Sequence, residues 1–219
     1  MALETSPDIH DDDSQSGELL PWYRSWLNLA AVALAIAVLA GGIGYVVGNN
    51  SAIVDPNATD VGFLQDMRYH HEQAVQMSLI YLELPDTNAE LRTIAREIIV
   101  GQELEVGRMI QLLRDFGKSE INETDLAMSW MGHPVALDSM PGLASDSDLD
   151  ALQRATGRGA DETFVRLMVA HHQGGIEMAS DAATAAGTSE VRKMAASIAG
   201  SQQQEIVELQ TLLAAVPAG

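Results

Sequence analysis

Two pairs of adjacent histidines, His70-His71 and His171-His172, hold four of the six histidines in the chain. At about 100° per residue on a helix, Phe63, Met67, His70, Ala74 and Met77 fall within one narrow arc, with His71 on its flank. The same arc recurs with Phe164, Met168, His171, Gly175 and Met178, with His172 beside it. Imidazole together with thioether suits copper, and the thioether favours Cu(I). The chain has no cysteine, so thiolate sites and disulfides are excluded, and any transition-metal site must use His, Met, Asp or Glu. Zinc also takes histidine but gains little from methionine, and magnesium and calcium prefer oxygen.

The same spacing is also what core packing produces, because methionine is a common gap-filler. Adjacent histidines point about 100° apart, so one of each pair is expected to face the interior and the other a neighbouring helix or solvent. The four are therefore not expected to share one ion. Gln102 and Gln202 interrupt apolar stripes at equivalent places, and Glu105 and Glu205 follow three residues on. Such groups orient histidines by hydrogen bonds or simply satisfy buried polar atoms. A di-iron carboxylate centre needs Glu-x-x-His, but Met67, Arg68, Met168 and Val169 occupy the places three before the histidines. Met128, Met131, His133 and Met140 form a further set of soft groups, either a capture loop for copper or a flap packed over the bundle.

The elements that position these groups come from a duplication. Asp60 to Met77 aligns without gaps on Asp161 to Met178, and after a one-residue shortening Glu90, Arg92, Ala95, Ile98, Gln102, Glu105 and Leu112 face Glu190, Arg192, Ala195, Ile198, Gln202, Glu205 and Leu212. Each repeat reads as two helices, the first starting after Asp60 or Asp161 and the second after Leu84-Pro85-Asp86-Thr87 or Ala186-Gly187-Thr188-Ser189. Thr87 and Glu90 have capping-box spacing, Gly117 is a stop, and a short helix is expected over 146–156, capped by Ser145 or Asp146. No segment alternates well enough to be a strand. The expected fold is all-α: two helical hairpins, 60–117 and 161–219, forming a four-helix bundle, with a Met-containing connection over 118–160.

Ahead of the bundle, no charged residue occurs between Arg24 and Asp55, and residues 25–48 are expected to form a transmembrane helix. Its apolar residues each favour insertion by roughly 0.3 to 0.6 kcal/mol. The alternative, a cleaved signal peptide, normally has a shorter apolar region and a basic leader, whereas this leader carries six acidic residues. Arg24 places the N-terminus in the cytoplasm, residues 1–24 as an acidic tail there, 49–59 as a linker, and the bundle outside. The net charge of −19, from 31 acidic and 12 basic residues, argues against nucleic acid and suits cations.

The repeats resemble the CopM-like family, a domain of unknown function numbered 305. The likeness rests on Phe-x-x-x-Met-x-x-His-His-x-x-Ala/Gly-x-x-Met, on the helix with Gln-x-x-Glu that follows each copy, and on Met140-Pro141-Gly142-Leu143 ahead of the second. It covers Asp60 to about Ala215. The resemblance implies a ferritin-like bundle, export from the cytoplasm and, for some members, copper binding or resistance. By position it implies Met67, His70, His71, Met77, Met168, His171, His172 and Met178 as copper ligands. Leu143 and Leu209 stand where methionine is usual, so thioethers are sparser here. The expected protein is a membrane-anchored, extracytoplasmic copper binder without catalysis of its own. The alternative is an accessory subunit docked on a membrane protein complex, its glycines at 41, 42, 44 and 48 allowing close helix packing in the bilayer.

Overall fold

The computed structural model of the chain describes residues 22–50 and 55–216. It forms two units, Met1–Ile53 and Val54–Gly219. In the first, a 3-10 turn at Trp22–Arg24 precedes helix α1, Trp26–Asn50. The 21 residues Trp26–Val46 have a mean hydropathy of 2.3, and none is buried, so α1 is long and apolar enough to cross a membrane. Most of the expected acidic tail, and 51–54 of the expected linker, lie outside the described residues.

The second unit is built from α2 (Ala58–Glu83), α3 (Ala89–Asp115), α4 (Asp146–Arg154), α5 (Gly157–Ala185) and α6 (Ser189–Ala215). Helices α2 and α3 form one hairpin, α5 and α6 the other; α2 packs along α5, and α4 packs against both. The all-α bundle expected from the repeats is the observed architecture. Two apolar clusters fill its opposite ends. One joins Phe63, Leu64 and Met67 to Met178, Ala179 and Ala182, together with Met109, Met194 and Ile198. The other joins Ala74, Met77 and Tyr81 to Phe164, Val165 and Met168, with Leu91, Ile98 and Leu209. The N-terminal part of α2 thus meets the C-terminal part of α5, so the two run antiparallel. Each large apolar side chain removed from water contributes about 1.5 to 3 kcal/mol.

Local signals set the helix ends, in places differently from expectation. Helix α2 starts at Ala58, ahead of Asp60, because Asn57 is its cap: the Asn57 side chain accepts from Asp60 N–H while Asp60 accepts from Asn57 N–H. Helix α5 likewise starts ahead of Asp161, at Gly157. The cap of α3 is Asn88, which accepts from the N–H groups of Glu90 and Leu91. Thr87 instead donates to Leu84 O and accepts from Arg92, so the expected Thr87 box is not the one formed. Ser145 caps α4 in a box with Asp148. Gly117, at φ 64°, ends α3: its N–H donates to Arg114 O and that of Lys118 to Leu113 O, the geometry in which glycine avoids a Cβ clash. The expectation of no strands fails at one place. Leu126–Ala127 pairs antiparallel with Val135–Ala136, too short a ladder to leave an alternating pattern in the sequence.

Two aspartates lock the hairpins together reciprocally. Asp60, fully buried at the start of α2, accepts from Gly187 N–H, Thr188 N–H and Thr188 Oγ1 in the turn between α5 and α6. Its counterpart Asp161 accepts from Asn88 N–H and Tyr81 Oη at the turn between α2 and α3. Burial and the Asp161 carboxylate raise the Tyr81 phenol far above its ordinary range, so it stays a donor. Arg92 and Arg192 reach back to the carbonyls of Leu82 and Ala186, serving the C-terminal ends of α2 and α5 in matching fashion.

Candidate functional site

The four histidines occupy the stretch of α2 and α5 between the two apolar clusters, and all four are fully buried. Of the two places expected for the second histidine of each pair, a neighbouring helix or solvent, it takes the helix, and none of the four turns to solvent. Instead His70 and His171 turn toward each other across the α2–α5 contact, their ring centroids 3.8 Å apart and tilted by 35°. His71 and His172 turn toward the second helix of their own hairpins, where Nε2 lies 2.7 Å from Glu105 and 2.6 Å from Glu205 respectively.

Each inner histidine donates through Nε2. His171 Nε2 donates to His70 O at 2.9 Å, and His70 Nε2 donates to Pro141 O at 3.1 Å. A carbonyl can only accept, so the hydrogen sits on Nε2. Burial pushes the His70 imidazole down to about 3, helped by His71 and His172 and opposed by the Pro141 carbonyl. Burial first, then the imidazoles of His70, His172 and His71, hold His171 well below the ordinary range. Both rings are therefore neutral near pH 7, with a bare lone pair at Nδ1. The Nδ1 atoms of all four histidines are buried without a hydrogen-bond partner, as are Gln102 Oε1 and both amide atoms of Gln202. Leaving such an atom unpaired costs about 1 to 3 kcal/mol.

Met140-Pro141-Gly142 closes over this layer. A Cβ at Gly174 would lie 1.9 Å from Pro141 O, and one at Gly142, itself at φ 80°, 2.3 Å from Ala170 O. Glycine at both places lets the strap lie directly on α5 and bring its carbonyl to His70. Further along the connection, buried Asp66 accepts from Asn122, Met128 N–H and Trp130 Nε1, and Trp130 packs edge-on against Phe63. Met128 and Met140 are buried, Met131 is half-buried and His133 is exposed. This is the flap reading of the connection. The sequence indicated a soft-ligand loop as the other possibility; Met128, Met131 and Met140 join the same apolar cluster, and His133 stays exposed.

The expected ligands are brought together only in part. The four histidines form one layer, but the thioethers leave it: Met67 and Met178 join one apolar cluster, Met77 and Met168 the other. Among the described residues, no three His, Asp or Glu side chains converge as a ready metal cage. The layer is a set of prepositioned donors. At His70 and His171 an orphaned, unprotonated Nδ1 with Nε2 held by a carbonyl is nonetheless the arrangement in which histidine binds metals, the partner on the second nitrogen fixing tautomer and ring. The donor chemistry thus fits copper. Sequence reasoning missed the Pro141 carbonyl, whose signal is the pair of glycines that lets it approach.

Fold and site define a duplicated helical bundle centred on a buried histidine layer. Residues 60–213 match the family described as a domain of unknown function (DUF305), and the chain belongs to it. A DUF305 protein of Streptomyces coelicolor is similar in structure, with 33% identity and a TM-score of 0.65 over 71% of this chain and 92% of that one. A DUF305 fragment from Deinococcus radiodurans has 26% identity and a TM-score of 0.63, over 74% of this chain and 100% of the fragment. CopM in its Cu(I)-bound form has 31% identity and a TM-score of 0.52, over 71% of this chain and 96% of CopM. No curated protein matches the chain.

Proposed function

We propose that the protein binds copper at its histidine layer and is held by α1 in a membrane, with the bundle on the extracytoplasmic side, where it buffers copper or hands it over. The observation that carries this reading is the set of four buried Nδ1 atoms without a partner at the centre of the bundle. Likeness to CopM, a protein solved with Cu(I), supports it. The ligands would come from His70, His71, His171 and His172, with Met67, Met77, Met168 and Met178 reaching the layer from the flanking clusters. Copper supplies a Lewis-acidic, redox-active centre when bound. The chain's own part is to hold Nε2 of His70, His71 and His171 on an oxygen, to keep the inner imidazoles neutral and to exclude water under the Pro141 strap. No catalytic step belongs to this reading.

The anchor assignment rests on the span Trp26–Val46 and on Arg24, the basic residue nearest to it, which favours a cytoplasmic N-terminus. Titration of the full chain in detergent with Cu(I) and with Cu(II), against a chelator of known affinity, tests the metal reading. Stoichiometric binding that is lost when the four histidines are replaced by asparagine is expected. Weak, sub-stoichiometric binding that survives those replacements would overturn it.

A further inference from the structure

The two repeats place the same residues at the same positions, so each is an internal control for the other. In repeat 1, His71 Nε2 and Glu105 Oε2 form a hydrogen bond at 2.7 Å. In repeat 2, His172 Nε2 and Glu205 Oε2 stand 2.6 Å apart, yet both atoms are buried without hydrogen-bond geometry to any partner. The contrast extends one turn along the α5–α6 seam. Gln202, 1% exposed, has both amide atoms without a partner, whereas of the Gln102 amide only Oε1 is a buried orphan. Gln202 lies against Gly175, where a Cβ would meet its Oε1 at 2.3 Å. Repeat 1 has Ala74 at that place.

We propose that the α5–α6 seam of repeat 2 is the first seat for a divalent cation, held between His172 Nε2 and the Glu205 carboxylate, with the Gln202 amide oxygen within a helical turn. The proposal rests on the copper reading above and assigns that metal an order of filling and an oxidation state. An imidazole nitrogen, a carboxylate and an amide oxygen are donors for Cu(II) or Zn(II), whereas Cu(I) prefers thioethers, and the nearby thioethers of Met168 and Met178 lie in the apolar clusters. A cation bound to both atoms at about 2 Å, the two bonds at a right angle, needs them about 2.8 Å apart, which a few tenths of an ångström of side-chain movement from 2.6 Å provides. It would meet both orphaned atoms at once. Access runs along Glu205: its side chain is 29% exposed although its Oε2 is buried against the fully buried His172, so the outer part of the side chain opens the seam to a hydrated ion. A net charge of −19 draws cations toward that carboxylate.

The test is titration of the full chain in detergent with Cu(II) alone, followed by calorimetry and by the nitrogen hyperfine structure of the electron paramagnetic resonance spectrum. Wild type, Glu205→Gln, His172→Asn, Glu105→Gln and Glu208→Gln are compared, with circular dichroism melts to establish that each is folded. Glu205→Gln and His172→Asn are expected to weaken the first equivalent at least tenfold, and His172→Asn to remove one nitrogen coupling. Glu105→Gln should affect a later equivalent. Glu208→Gln, which removes an equal charge from an exposed site on the same helix, should leave the first equivalent within twofold of wild type. Equal weakening by Glu105→Gln and Glu205→Gln, or retention of the first equivalent in both repeat 2 variants, would overturn the proposal while leaving the copper reading standing. Stoichiometric Cu(I) binding without Cu(II) binding would do the same. A wild type that binds copper in neither state would overturn both.

Discussion

His171 Nε2 donates a hydrogen bond to the backbone carbonyl of His70 at 2.9 Å, although both residues are in mid-helix. An α-helical carbonyl already accepts from the N–H four residues on, so the histidine of one repeat uses the second lone pair of the other repeat's backbone. The interaction fixes the His171 tautomer and sets the ring against that of His70. It also breaks the symmetry of the repeats, because His70 turns to the Pro141 carbonyl instead.

The metal-free bundle should weaken as the pH falls below about 6.5. Burial lowers the folded-state value of His70 to about 3, and that of His171 also lies well below 6.5, so between those limits the unfolded chain binds more protons than the folded one. Stability is then fully present above the unfolded value and is lost as the pH falls toward the folded one, by up to about 1.4 kcal/mol per pH unit per histidine. Urea midpoints between pH 7 and 5, where ordinary carboxylates stay charged, measure the slope. Replacing His171 by glutamine should reduce it by one histidine's share, leaving that of His70.

Gly174→Ala should lift the strap. Its Cβ would sit 1.9 Å from the Pro141 carbonyl oxygen, which is backbone on both sides and has no flexible end to yield. A loss of about 1 to 3 kcal/mol is expected, with faster amide exchange over 140–144. A melting temperature and exchange pattern equal to those of wild type would refute the packing.

Removing the Asp60 carboxylate should cost more than removing that of Asp161. Asp60 receives four hydrogen bonds, from Asn57, Gly187 and twice from Thr188, and Asp161 receives two, from Tyr81 and Asn88. Bonds to a charged group are worth about 1.5 to 3 kcal/mol each and overlap when shared by one carboxylate. Asp60→Ala is therefore expected to lose about 3 to 5 kcal/mol, and Asp161→Ala less, in denaturant melts.

Deleting residues 26–46 should release the chain from membranes. The intact chain is expected to stay with the bilayer in alkaline carbonate, and the deletion variant to appear in the supernatant with the same helical bundle spectrum. Carbonate extraction of the intact chain would refute the anchor.

The bundle was legible in the sequence because it is written twice, and the recurrence of Phe63, Met67, His70, His71 and Met77 at an offset of 101 gives both face and register. The helix faces that carry His70 and His171 were legible for the same reason. What could not be read was rotation: periodicity places His71 on the flank of its helix, but only packing decides that the flank meets Glu105 and closes away from solvent. The separation of the methionines from the layer is likewise tertiary. Met67 and Met77 share an arc with His70, yet they sit about one and two turns from it in opposite directions, which takes them into different clusters. The Asn88 cap was hidden because Thr87, Asn88 and Glu90 all fit a helix start, and the choice fell to Asp161 holding Asn88 N–H.

That reciprocal clasp has a consequence for how such a chain arises. Each hairpin carries a plug, the aspartate at the head of its first helix, and a socket, the turn before its second. A plug and a socket on one unit cannot meet within that unit, but two copies related by a two-fold axis satisfy each other completely. A single hairpin of this design is thus complete only as a symmetric pair, and joining the pair through residues 116–156 leaves every clasp in place while freeing the two halves to diverge, as Ala74 and Gly175 have.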